Sequence, residues 1–226
     1  MDKIKLSSRL LKCAEMVSNG TKIVDVGTDH AYIPIYLMLK GKISYAIASD
    51  IKIGPLQNAI KNIKKYNLEN NIETRISDGL DKINENEANE IIIAGMGGNM
   101  ISNILEKCTW KNKKNKVFII NPMKYEERLR EFLYKNGYKI KKECAVICSK
   151  KVYSVMKVIY TGEKIKTNPE EKYIGKMKEN INQAEKAYIK KQIKNLSNHL
   201  KGAKSNNQSE QEKHFENLIN KLKNLL

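Results

Sequence analysis

The chain has 226 residues and a net charge of +17, from 42 Lys and Arg against 25 Asp and Glu, and 41% of it is hydrophobic. Such a length holds one large domain, or one of ordinary size with an appendage, and the apolar share excludes wholesale disorder. No apolar run approaches the ~20 residues that cross a bilayer. The start Met1-Asp2-Lys3-Ile4-Lys5 opens no signal peptide, and four scattered cysteines make no disulfide framework. A cytoplasmic protein without membrane contact is expected.

Apolar residues at 6, 10, 11, 14 and 17 have helical spacing, with Ser7 or Ser8 as the cap. A buried strand is predicted over 22–27, a helix over 31–40 and a second strand over 45–50. Pro55 opens a helix over 56–66. Strands over 72–77 and 90–94, a helix over 100–108, a strand over 116–120 and a helix over 125–135 follow. Strands alternating with helices of about ten residues form a parallel, doubly wound α/β sheet with both faces covered. Two extended runs, 138–148 and 152–160, are then joined only by Ser149-Lys150-Lys151, too short for a crossover and suited to an antiparallel hairpin. The expected sheet is seven-stranded and mostly parallel, closed by that hairpin. It resembles the Rossmann-like sheet of class I methyltransferases.

Residues 1–162 are assigned to this domain and residues 163–226 to a C-terminal α-helical one. Residues 161–226 hold 14 Lys, no Arg and 8 Glu. Apolar positions 174, 177, 181, 184, 188, 193, 196 and 200 keep helical spacing, and a polar break follows at 202–209. Phe215, Leu218, Ile219, Leu222 and Leu225 then share one face of a helix over 210–225. A helical hairpin or coiled coil is expected, which either binds a ligand or serves to dimerise or pack, in a monomer or weak dimer. The net +17 favours a polyanion as partner. Yet 38 Lys against four Arg, with 25 Asn, is also what an AT-rich genome writes.

The chemistry gathers at strand ends. Asp25-Val26-Gly27-Thr28-Asp29-His30-Ala31 joins the first strand to a helix, where a nucleotide-like cofactor meets a helix N-terminus. Of a Gly-x-Gly-x-x-Gly pattern only Gly27 is present, and Asp29 stands where a second glycine belongs. Asp29 repels a pyrophosphate, whereas Asp25 and Asp29 suit S-adenosylmethionine, whose sulfonium and ammonium are cationic. Asp50, 25 residues after Asp25, is placed for ribose hydroxyls, and Asp78 for an adenine amino group. The alternative for all three is that each caps the helix after it. In Ala94-Gly95-Met96-Gly97-Gly98 three glycines let backbone approach a ligand and leave room for a flat base; a tight turn without function is the alternative. Cys144 and Cys148 project about 13 Å apart along a strand, and no metal site is expected.

Taken in order, Leu6-Ser7-Ser8-Arg9-Leu10, the run from Asp25 to Pro34, Ser49-Asp50-Ile51 with Gly54-Pro55-Leu56, Asp78-Gly79-Leu80 and the run from Ile93 to Gly98 closely resemble one family, the bacterial tRNA (adenine-22-N1)-methyltransferases or TrmK family. The resemblance covers about residues 5–160. It implies a class I fold with a C-terminal coiled-coil domain, S-adenosyl-L-methionine as cofactor, S-adenosyl-L-homocysteine as product, tRNA as partner and position 22 as target. Asp25, Gly27, Thr28, Asp50, Ile51, Asp78, Gly79, Ala94, Gly95 and Met96 then belong to the cofactor, and Arg9, Gly97, Gly98, Asn121 and Pro122 to the substrate. Asn121-Pro122 stands where many members read Gln-Pro, and Tyr153-Ser154 where members often carry a Glu after the tyrosine.

The N1 lone pair of adenine is already a nucleophile, so the work is alignment. The product is cationic, and a nearby carboxylate stabilises charge as it develops. Asp29 is assigned that part, with His30 and Tyr32 orienting it or the base. N1 lies on the pairing edge, so the target must be unpaired or flipped out, while Lys-rich helices hold tRNA by phosphate and shape. Two rivals stand beside this function: a methyltransferase of a small molecule or protein, and a non-catalytic RNA-binding relic.

Overall fold

A computed structural model describes residues 4–226. Seven strands, β1 Thr21–Val26, β2 Ile43–Asp50, β3 Ile72–Ile76, β4 Glu90–Met96, β5 Val117–Pro122, β6 Tyr138–Cys148 and β7 Lys151–Tyr160, form one sheet in the order β3-β2-β1-β4-β5-β7-β6. The first five are parallel, and β7 runs antiparallel between β5 and β6. Strand order reverses between β1 and β4, and ligands of open α/β sheets bind in the crevice at such a switch point.

Five helices cover the sheet: α1 Ser8–Met16, α2 Tyr32–Leu39, α3 Ile53–Lys65, α4 Gly98–Lys107 and α5 Glu126–Lys135. Successive strand residues face opposite sides, so a strand buried on both reads as an unbroken apolar run. Ile91 and Ile93 enter one core with Ile101 and Leu105 of α4 and Leu129 and Leu133 of α5. Ile92 enters the other, with Cys13 of α1, Ile35 of α2 and Ile63 of α3. Pro55 lies in the first turn of α3, two residues later than expected, where a missing N–H breaks no helical bond. The β6–β7 link contracts to Ser149 and Lys150, both left-handed at φ 47° and 63°, as a two-residue type I′ hairpin requires.

The helix expected across 174–200 is divided. α6 Pro169–Ile174 stops at Gly175, whose φ is 53°. α7 Gln183–Ser205 starts only where Asn182 accepts the Ala184 N–H, runs through Gly202, and gives way to α8 Ser209–Lys223. Tyr188, Ile189 and Leu196 of α7 pack with Leu218, Ile219 and Leu222 of α8 and with Ala145 of β6 in a third core. β6 is the edge strand, and Glu185 of α7 accepts its Ala145 N–H at 2.8 Å, which blunts that edge. Among the described residues no helix is long and apolar enough to cross a membrane.

Candidate functional site

The loop after β1 is fixed from below. The Gly27 and Thr28 N–H groups both donate to the Ser49 carbonyl of β2, at 2.8 and 2.9 Å. Thr28 Oγ1 donates to Asp25 Oδ2 at 2.8 Å and accepts the Ala31 N–H at 3.1 Å, so one hydroxyl tethers the carboxylate and turns the chain into α2. Burial pushes the Asp25 carboxyl up to about 7; the Thr28 bond opposes this and the charge of Asp50 adds to it.

None of the three strand-end carboxylates caps a helix. The N-cap positions of α2 and α3 are Ala31 and Lys52, without side-chain bonds, and no helix follows Asp78 until α4. Asp50 accepts the Lys52 N–H through Oδ1 at 2.8 Å; its Oδ2 has no partner among the described residues. Asp78 is exposed, 3.4 Å from Lys107 Nζ. A cavity of about 260 Å³ is lined by Gly27, Asp50, Ile51, Asp78, Gly79 and Met96, and by Met100, Asn103, Ile104 and Lys107. The last four escaped the sequence reading. They lie at i, i+3, i+4 and i+7 on α4, a stripe that looks like ordinary helix packing.

A second cavity, about 370 Å³, is lined by Arg9, Asp25, Gly27, Thr28, Asp29, His30, Tyr32, Ala94 and Gly95. The two cavities share Gly27, whose φ is +74° and where a Cβ would run into the Met96 methyl. In the second cavity the His30 and Tyr32 rings stack, with centroids 4.9 Å apart and planes 11° from parallel. His30 Nε2 lies 3.2 Å from Asp29 Oδ2, and the Asp29 side chain is 67% exposed.

The substrate residues named from sequence divide. Arg9 lines the second cavity. Asn121 is fully buried behind it, accepting from Arg9 Nη1 and donating to the Ser154 carbonyl, both at 2.7 Å. With both ends of its amide engaged, Asn121 fixes Arg9. Gly97, Gly98 and Pro122 line neither cavity. A Cβ on Gly98 would strike the Tyr125 carbonyl, so this glycine lets α4 approach the start of α5. Among the described residues no group of His, Cys, Asp and Glu is placed to hold a metal.

An exposed carboxylate, a buried one whose ionisation is made harder by burial and would be favoured by a cation, and an Asp50 oxygen left open together fit a cationic, ribose-bearing cofactor. A methyltransferase-domain family model matches residues 6–156, and with the sheet order it defines the class: a Rossmann-like methyltransferase. The Bacillus subtilis tRNA (adenine(22)-N(1))-methyltransferase is 40% identical over 156 residues, which span 69% of this chain and 66% of that protein, just under two thirds of its length. The crystal structure of the B. subtilis m1A22 tRNA methyltransferase TrmK superposes with a TM-score of 0.83 at 29% identity, over 98% of this chain and 99% of that one. M. capricolum TrmK, solved with S-adenosyl-homocysteine, gives 0.79 at 30% identity over 97% and 96%. Streptococcus pneumoniae Sp1610 in complex with S-adenosyl-L-methionine gives 0.83 at 30% over 98% and 100%. The chain belongs to the TrmK family of tRNA (adenine-22-N1)-methyltransferases.

Proposed function

We infer that this chain transfers a methyl group from S-adenosyl-L-methionine to N1 of adenine 22 in tRNA. The observation that supports it best is the pair of cavities meeting at Gly27, one walled by Asp50 and Asp78, the other by Asp29 and the stacked His30 and Tyr32. When bound, the cofactor supplies an electrophilic methyl carbon on a sulfonium. Asp50 would hold its ribose through the open oxygen, Asp78 with Ile51 and Gly79 its adenine, and Asp25 its ammonium. Asp29 then faces the charge that develops on the target base, and a carboxylate there favours the cationic product. His30, beside Asp29, orients it, and the stacked pair offers a flat wall to the base.

With this function go a cytoplasmic location, a monomeric or weakly dimeric state, and a division of labour: residues 1–162 hold the cofactor and lysines of residues 163–226 hold tRNA phosphates. Two transcripts test it, one with adenosine and one with guanosine at position 22. Methyl label is expected in the first alone; equal labelling of both contradicts the assigned position.

A further inference from the structure

α5 begins on a residue unsuited to the place. Its N-cap is Tyr125 in left-handed backbone at φ 61°, and no side chain caps the helix. Helices favour Ser, Thr, Asp or Asn there, and a bulky residue with positive φ is strained, which is a mark of functional sites. The residue is 39% exposed, with Lys124 Nζ 5.2 Å and Arg128 Cζ 4.9 Å from the ring centroid. Both cations are available. Lys124 has no acidic partner among the described residues, and Arg128 has only Glu127, at 3.9 Å. The other three arginines are engaged internally: Arg9 on Asn121, Arg75 on Glu73 and Glu87, Arg130 on Glu143.

The strained turn is tied to the end of β4. The Met123 N–H donates to the Met96 carbonyl and the Gly98 N–H to the Lys124 carbonyl, each at 2.8 Å. Met96 lines the first cavity, so the turn stands beside the cleft; Tyr125 itself lines neither cavity, which sets it apart from the stacked His30 and Tyr32 of the second. A half-exposed aromatic ring with two cations over it, one of them without an acidic partner among the described residues and the other only in a long ion pair, suits an unpaired nucleotide, its base stacking on the ring or the guanidinium and its phosphate on the cations.

We propose that Tyr125, Lys124 and Arg128 form a subsite for a tRNA nucleotide flanking the target adenosine. The proposal rests on the chain being a tRNA methyltransferase. Three variants test it in steady-state methylation of the adenosine-22 transcript. Tyr125→Asn removes the ring with a residue that tolerates left-handed backbone, Tyr125→Phe keeps the ring, and Arg128→Gln removes one cation. Tyr125→Asn is expected to raise the KM for tRNA about tenfold, with the melting temperature equal to or above the parent's and the calorimetric Kd for the cofactor unchanged. Tyr125→Phe should match the parent, and Arg128→Gln should flatten the slope of log KM against log salt by roughly one. An unaltered KM in Tyr125→Asn, or an equal loss in Tyr125→Phe, overturns the subsite while the parent still methylates tRNA. A parent that methylates no tRNA contradicts the function itself, and the subsite falls with it.

Discussion

Burial, with one hydroxyl as partner, makes the Asp25 carboxyl harder to ionise, and a cation beside it would favour the ionised form. Its folded pKa, about 7 against an ordinary 3.8, is raised by burial first. Without cofactor its contribution to stability is therefore present below about pH 4 and lost as pH rises through about 7. The cofactor's ammonium favours the ionised form, so the Kd is expected to fall between pH 6 and 8, with proton release seen by calorimetry at pH 6. Asp25→Asn should abolish both effects; a flat Kd in the parent contradicts the role given to Asp25. Asp29→Asn should lower kcat on the order of tenfold and leave the cofactor Kd unchanged, because water screens an exposed carboxylate; full turnover would remove Asp29 from the chemistry. That Asp25, Gly27, Asp50 and Asp78 line cavities was legible because that placement follows from their distance from a strand end. That Asn121 holds Arg9 was not, because the two lie 112 residues apart.

Among the elements, the loop that carries Gly27 is the most exacting. Any side chain at φ +74° is strained, and here it also meets Met96, which lines the first cavity. Gly27→Ala is expected to weaken cofactor binding at least tenfold with the far-ultraviolet circular dichroism unchanged; wild-type affinity would show that Met96 yields freely. The alternation of strands and helices to residue 160 was legible because the central strands, β4 and β5 above all, are largely apolar and are closed by polar or glycine-bearing turns. The boundaries beyond it were not. Apolar residues at 174, 177, 181 and 184 keep helical spacing straight across Gly175 and Asn182, and the break comes from the left-handed glycine and the asparagine cap, which periodicity does not register.

Across the whole molecule, one buried cation ties the C-terminal helices to the sheet. Arg130 is fully buried, 2.7 Å from Glu143 of β6 and 2.8 Å from the Tyr188 hydroxyl of α7, and it also donates to the Lys172 and Tyr173 carbonyls. Glu143 in turn accepts from Ser154, whose carbonyl accepts from Asn121, which holds Arg9 at the second cavity. In sequence Arg130 and Glu143 look like surface charges on an amphipathic helix and strand; their pairing is purely tertiary. Arg130→Leu leaves Glu143 buried without its cation and should cost about 3–5 kcal/mol in urea denaturation. Replacing both residues by leucine should recover much of it, and a neutral single variant would mean that the pair does not hold the tail. The central claim, methyl transfer to adenine N1 in tRNA, is tested most directly by incubating the chain with unmodified total tRNA and methyl-labelled S-adenosyl-L-methionine, followed by nucleoside mass spectrometry. Labelled N1-methyladenosine above a protein-free control is the result expected. No labelled nucleoside, from protein that binds the cofactor by calorimetry, would contradict it.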